Sequence, residues 1–143
     1  MTAPALLWRR SARTVDAVAV GLMALPVIAS LALWSRLPAE FAIHWSGSTP
    51  DSFVSKPVAT VGQFVFGVAL VVAIRVLPDS MTSTPGGSNL SVLFLGVVFA
   101  WVQSTVLVWN LGYRFNVTAS VVPIVILAAL LVVYSYRSTP TSS

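Results

Sequence analysis

Four long apolar runs, separated by short polar stretches, organise this chain. Ala17 to Trp34, Val58 to Ile74, Leu90 to Leu111 and Ala119 to Tyr136 carry no charged residue. With their flanks they predict spans over about residues 16–35, 58–77, 90–111 and 119–136. At about 1.5 Å per residue such runs rise roughly 25 to 33 Å, enough for a hydrocarbon core of about 30 Å once flanks snorkel or helices tilt. Outer-membrane strands are about ten residues long and alternate polar with apolar positions, whereas both faces of each run are apolar here. The pattern predicts an all-α integral membrane protein in a single membrane domain. It is a four-transmembrane-helix bundle with an outward polar loop between helices 1 and 2.

Composition agrees with lipid as the solvent. Hydrophobic residues make up 57% of the 143 positions and charged residues 8%, against roughly a quarter charged in soluble domains. A net charge of +4 is too small and too dispersed for nucleic-acid binding. Its densest part, Arg9, Arg10 and Arg13, abuts the first span, where it would meet anionic headgroups. No cysteine is present, which excludes disulfides and thiolate chemistry. The first run is longer than a signal-peptide core, and Leu33-Trp34 is a poor cleavage site, so a retained membrane anchor is expected.

The distribution of Lys and Arg sets the expected orientation. Arg9, Arg10, Arg13, Arg75 and Arg137 fall on one side, and Arg36, Lys56 and Arg114 on the other. Five against three places both termini in the cytoplasm and the helix 1–2 loop outside, in a multi-pass cell-membrane protein. Trp8, Trp34, Trp45, Trp109, Tyr113, Tyr134 and Tyr136 fall near span ends, as interfacial aromatics do. The connector Pro78–Asn89 and the tail Ser138–Ser143 are polar and carry no binding pattern.

Within the spans, Gly96, Ala100 and Ser104 share one face of the third helix. Ala17 with Gly21, and Ala69 with Ala73, repeat that four-residue spacing in the first and second. Small residues in this register let backbones approach, so these faces are expected to point inward or to support a homo-oligomer. Gln103 is strongly polar at mid-span, which suits an interhelical hydrogen bond or a pore contact. Asp16 is expected at the start of the first helix, paired with Arg13, and Pro26 should kink that helix. Pro123 is expected in the first turn of the fourth helix, with Ser120 as its cap. Asn116-Val117-Thr118 matches the glycosylation triplet but lies against a span.

The polar segment Leu37 to Lys56 holds the chain's single histidine, His44, with Glu40, Asp51 and Lys56. Leu37-Pro38 ends the first span, because proline biases its predecessor away from helix. Phe41, Ala42 and Ile43, followed by Trp45, suit a segment lying back on the bundle or in the headgroups. Ser46 to Pro50 is turn-rich, Ser55 can cap the second helix, and Lys56 can snorkel to the surface. His44 with Asp51 or Glu40 could form an acid–base pair, and Ser46 or Ser48 could serve as its nucleophile. No metal-ligand spacing, nucleophile elbow or phosphate-cradling glycine loop is present. These residues favour a folded cap held by a His–Asp or Lys–Asp contact, with no catalytic residue, metal or cofactor assigned.

The order Leu37-Pro38, Ile43-His44-Trp45, Pro50-Asp51 and Ser55-Lys56 resembles a known membrane family. That family is the small domain of unknown function found at the N-terminal end of SdpI-type bacteriocin immunity proteins. Its loop commonly reads LP…(I/P)-x-H-W-N…G-x-P-D…S-K. Ser46 stands where asparagine is usual, Ser48 takes the usual glycine position, and Gly47 comes one place early. The resemblance implies a non-enzymatic multi-pass membrane protein with His44, Trp45, Pro50, Asp51, Ser55 and Lys56 as structural or recognition residues. The partners it implies, beside the lipid bilayer, are a peptide toxin or a membrane partner protein. Two alternatives remain: a transporter or channel component using Gln103 and Pro26, and a membrane-embedded hydrolase or metal enzyme using His44, Asp51 and Glu40.

Overall fold

The computed structural model describes residues 3–77, 81 and 87–138. Most of the second connector and the residues after 138 therefore lie outside the described residues, as do the side chains of Trp8, Arg9 and Arg10. Four long helices, α1 (Ala3–Ala32), α2 (Gln63–Val76), α3 (Gly87–Asn110) and α4 (Val117–Ser138), follow the four apolar runs. A turn of π-helix, Val58–Gly62, precedes α2 and extends its span to 58–76. Helices are the natural outcome, because lipid offers no partner for backbone N–H and C=O groups and a helix satisfies its own.

The polar segment between the first two spans is not an irregular loop. A short 3-10 turn, Trp34–Arg36, ends α1. Strands β1 (Glu40–Ser46) and β2 (Thr49–Ser55) then form an antiparallel hairpin. Ser46 pairs with Thr49, leaving Gly47 and Ser48 as a two-residue turn. Gly47 has φ +65°, while Ser48 stays at negative φ. Glycine at the first of two turn positions matches a tight hairpin of the II′ kind.

α1 packs most extensively on α3. One core cluster joins Ala19 and Met23 of α1 to Val71 of α2 and Val92 of α3. The other lies under the hairpin and joins Leu37, Phe41 and Ala59 to Val106 and Leu107. Gly96 brings the α3 and α1 backbones close: a Cβ there would sit 2.8 Å from Ala19 Cα. Its inward position agrees with the sequence reading, but the small faces chosen on α1 and α2 do not. Ala17, Gly21, Ala69 and Ala73 are exposed, and the buried positions are Ala19 with Met23 and Gly67 with Val71. Each pair lies two residues away, about 200° around the helix at 3.6 residues per turn. Ser104 is also exposed and bonds back to the Ala100 carbonyl at 2.6 Å.

Three local expectations are corrected. Asp16 lies well inside α1, because the helix begins at Ala3. Its partner is Arg75 of α2 and not Arg13: Nε and Nη2 of Arg75 donate to Asp16 Oδ1 at 2.9 and 2.6 Å. α4 starts at Val117 and is capped by Asn116, whose Oδ1 accepts from the Ala119 N–H at 3.0 Å. Ser120 therefore lies inside the helix, and Pro123 falls beyond its first turn. No residue of the 117–134 span of α4 is buried in the chain.

The two glycine positions separate these faces experimentally. Gly96→Ala pushes a methyl group against backbone that cannot yield and should destabilise the bundle by about 1–3 kcal/mol. Gly21→Ala meets nothing within 4 Å and should be neutral or stabilising by up to about 1 kcal/mol, because alanine replaces a glycine inside a helix. Thermal unfolding in detergent compares them, and equal losses would refute the α1–α3 contact as the close one.

Candidate functional site

The hairpin is fastened to the bundle by both its backbone and its ends. Asn110, at the last turn of α3, presents its carboxamide to the β1 backbone at Ala42. Oδ1 accepts from the Ala42 N–H at 2.9 Å and Nδ2 donates to the Ala42 carbonyl at 3.0 Å. This reciprocal pair does what a neighbouring strand would do for a sheet edge. Nδ2 also donates to the Val106 carbonyl at 2.8 Å, which fixes the amide on its own helix. Phe41 and Ala42 are consecutive and both buried, while Ile43 and His44 are both exposed. Strict strand alternation breaks there because the register slips on both sides of His44.

Lys56 fastens the other end. Its backbone N–H donates to the Ala39 carbonyl at 2.8 Å. Its ammonium donates to the carbonyls of Trp34 and Leu37 at 3.0 and 3.1 Å and lies 4.7 Å from the centre of the Trp34 ring. A cation at these carbonyls complements the negative end of α1. Lys56 is thus an internal staple and does not reach outward as a free surface lysine. Ser55 pairs with Glu40 across the ladder, and its hydroxyl makes no hydrogen bond among the described residues. The cap expected of it is not formed.

Trp45 packs edge-on against Trp109 of α3, with ring centroids 5.4 Å apart and planes at 69°. The Arg114 guanidinium covers Trp109 at 3.7 Å and donates from Nη1 to its carbonyl at 3.0 Å. Trp45 also stands opposite Pro50 in the ladder. This stack of Trp45, Trp109 and Arg114 joins the hairpin to the end of α3, and cation–π contacts of this kind add roughly 0.5–1 kcal/mol at exposed sites.

Asp51 organises the hairpin tip. His44 Nδ1 lies 2.6 Å from Oδ1, Ser46 Oγ donates to Oδ2, and Ser52 Oγ donates to Oδ1 at 3.5 Å. Of the two contacts the sequence suggested for this carboxylate, His–Asp forms and Lys–Asp does not. The Ser46 hydroxyl bond, then that of His44, holds the Asp51 carboxyl below the usual aspartate range, against a small opposing desolvation. Ser46 donates to Asp51 and not to His44, and the Ser48 hydroxyl bonds to neither. Glu40 lies at the far end of β1, opposite Ser55. Among the described residues, no three His, Cys, Asp or Glu side chains are grouped to hold a metal ion.

Gln103 lies away from the hairpin tip, 3% exposed within the bundle. Its Nε2 donates to the Ala59 carbonyl at 3.1 Å. Ala59 lies in the π-helical turn, where intrahelical bonding is wider than in an α-helix and a side-chain donor can complete it. Asn110, Arg114 and Trp109 are site residues that sequence reasoning missed. The available signal was a carboxamide and a cation placed within one turn of a helix end.

Two outcomes follow from this geometry. Asn110→Ala orphans the Ala42 N–H and C=O and should cost about 1–3 kcal/mol of stability, whereas Ser48→Ala on the exposed turn should stay within about 0.5 kcal/mol. Thermal unfolding compares them. Asp51 has a folded pKa below its unfolded one, so its contribution is complete above the usual aspartate range. That contribution is lost as pH falls through the lowered folded value. Carboxyl NMR titration should show a midpoint below that of an unstructured aspartate, raised more by Ser46→Ala than by Ser52→Ala. An unshifted midpoint would rule out the hydrogen-bonded tip.

Comparison with known proteins places this geometry. Residues 21–68 match a family described as a domain of unknown function, DUF1648. The chain is also similar to the immunity protein SdpI of Bacillus subtilis (strain 168), with 29% identity over 106 residues. That alignment covers 70% of this chain and 49% of the relative, so the chain spans about half the relative's length. No solved structure matches it. The matched segment begins in α1, contains the whole hairpin and ends in α2. Residues 21–68 thus match the DUF1648 domain of unknown function, in a chain that has four helices long and apolar enough to cross a membrane and that is similar to an SdpI-type protein.

Proposed function

We propose that this chain is a non-enzymatic immunity-type membrane protein whose hairpin faces outward and recognises a peptide toxin or another hydrophobic partner. The observation that carries this reading is the way the hairpin is held. Asn110, Lys56 and the Trp45–Trp109 stack fix it to the bundle and leave its other face free. That face presents Phe53 at 53% exposure, near the His44–Asp51 pair. Rigid exposed apolar groups flanked by polar ones suit recognition, because little side-chain freedom remains to be lost on binding. Similarity to an immunity protein supports the same role. The five-to-three distribution of Lys and Arg supports the outward side.

A catalytic role is less well supported. Asp51 is occupied by donors of its own hairpin, and Ser46 is turned to Asp51 rather than to the imidazole. The bond from Gln103 to Ala59 supports a packing role for that glutamine over a pore contact.

Protection is measured by expressing the chain in a host exposed to a panel of membrane-active peptide toxins. Survival should rise against at least one toxin, and Phe53→Ser should reduce it at unchanged protein level. Equal killing with and without the chain across the panel would remove the immunity role. The side is tested separately: Ser48→Cys introduces a lone thiol at the turn. It should react with a membrane-impermeant maleimide in intact cells, and labelling only after lysis would reverse the orientation.

A further inference from the structure

A two-stranded hairpin has two outer edges, and here Asn110 satisfies one of them. It bonds both the N–H and the C=O of Ala42, so these groups point away from β2. Ala42 stands opposite Phe53 in the ladder. In such a pair of an antiparallel ladder the two residues turn their backbone groups away from each other. The N–H and C=O of Phe53 therefore point to the far edge of β2. The bond from the Lys56 N–H to the Ala39 carbonyl fixes the same phase and turns the Ser55 N–H to that edge as well. Among the described residues, neither Phe53 nor Ser55 receives a bond there. α3 packs along β1, whereas β2, apart from β1, packs mainly on the π-helical turn that follows it.

Side chains along the open edge select its occupant. Val54 packs against the core cluster under the hairpin, so its neighbours Phe53 and Ser55 turn to the opposite face. Glu40 stands across from Ser55, shares that face and makes no ion pair among the described residues. Asp51 lies two residues before Phe53, at the other end of the edge, and His44 is its one basic contact there. Neither strand contains Lys or Arg. The cations nearby are turned elsewhere, Lys56 to the carbonyl end of α1 and Arg114 to the Trp109 ring, and Arg36 lies in the turn before β1. An exposed ring between two carboxylates, beside unpaired backbone groups, matches an extended segment that carries an apolar residue between two basic ones. Four residues separate Asp51 from Ser55, about 13 Å along a strand, so the basic positions fall four residues apart.

We propose that the free edge of β2 takes up an extended basic peptide as a third strand, paired through the backbone of Phe53 and Ser55 and held by Asp51 and Glu40. Strand addition draws affinity from main-chain bonds and specificity from alternate side chains. The docked hairpin presents this edge already formed, which lowers the ordering cost of binding. This inference rests on the hairpin as the recognition element of the proposed function and adds the class and conformation of the partner.

The full chain, in an uncharged detergent, is titrated against a dye-labelled peptide that alternates threonine with lysine, valine and lysine. A second peptide carries glutamate in place of each lysine. Fluorescence anisotropy reads binding. The lysine peptide should bind about tenfold more tightly than the glutamate peptide, the order expected of a charge-assisted contact, and Glu40→Gln should narrow that ratio. Phe53→Ala removes the ring and keeps the N–H. Phe53→Pro also removes the outward N–H, a donor that the ladder to β1 does not use. The proline variant should bind about tenfold more weakly than the alanine variant. Near-ultraviolet circular dichroism of the Trp45–Trp109 stack checks that the hairpin stays docked, and Ser55→Pro against Ser55→Ala replaces the pair if it does not. No binding of the lysine peptide by the unaltered chain would overturn the proposal, as would equal binding of the two peptides. Equal binding by the proline and alanine variants would also overturn it. So would a dimer that Phe53→Pro converts to a monomer, since a second copy would then occupy the edge. Peptide binding without protection against any toxin would remove the immunity role alone, and protection without peptide binding would remove strand addition alone.

Discussion

The Asn110 carboxamide satisfies the buried stretch of β1, and the membrane end of the protein is organised around that contact. A two-stranded hairpin is marginal by itself in water, and its backbone cannot be left unpaired against an apolar bundle. By bonding both the N–H and the C=O of Ala42, Asn110 stands in for a third strand. Phe41 is thereby seated at 0% exposure among Leu37, Ala59, Val106 and Leu107. Trp45 is carried onto Trp109, and the remaining face of the hairpin turns away from the bundle. The register slip beside His44 follows from the same docking, because Phe41, Ala42 and Trp45 all meet protein and strict alternation would expose one of them.

Charged groups outside the tip serve mainly to join elements. Lys56 neutralises the carbonyl end of α1 while starting the second span, so one residue ties both ends of the polar segment to the membrane boundary. Arg75 and Asp16 join α2 to α1 at the opposite end of the bundle, with side-chain exposures of 21% and 34%. A pair so placed is partly screened, and its contribution lies in pairing the two helices more than in net stability. Arg114 is held by a ring face and a carbonyl at the end of α3.

Parts of the hairpin were legible before the structure. Gly47-Ser48 between Phe41–Trp45 and Phe53–Val54 is the composition of a two-residue β-turn. Pro50, Asp51 and the serines lower strand propensity in β2, so local preference alone points to a loop. Docking against α3 decides in favour of the strand. The His44–Asp51 contact was one of two arrangements the spacing allowed, and the hairpin register selects it by bringing residues seven apart across the ladder. The inward faces of α1 and α2 were misread because each helix is apolar all round. Small residues then occur on several faces, and only the position of a neighbour makes one of them close.

Sequence alone determined that this chain crosses a membrane four times and carries a polar segment with a family-like motif. Span number follows from counting apolar residues against bilayer thickness, since each helix satisfies its own backbone whatever its neighbours do. Only tertiary structure decided which helix faces meet, that Arg75 and not Arg13 holds Asp16, and that Asn110 and Lys56 fasten the hairpin. These are contacts between residues 59, 68 and 22 positions apart along the chain. No local propensity encodes them, because their geometry exists only once the helices have packed.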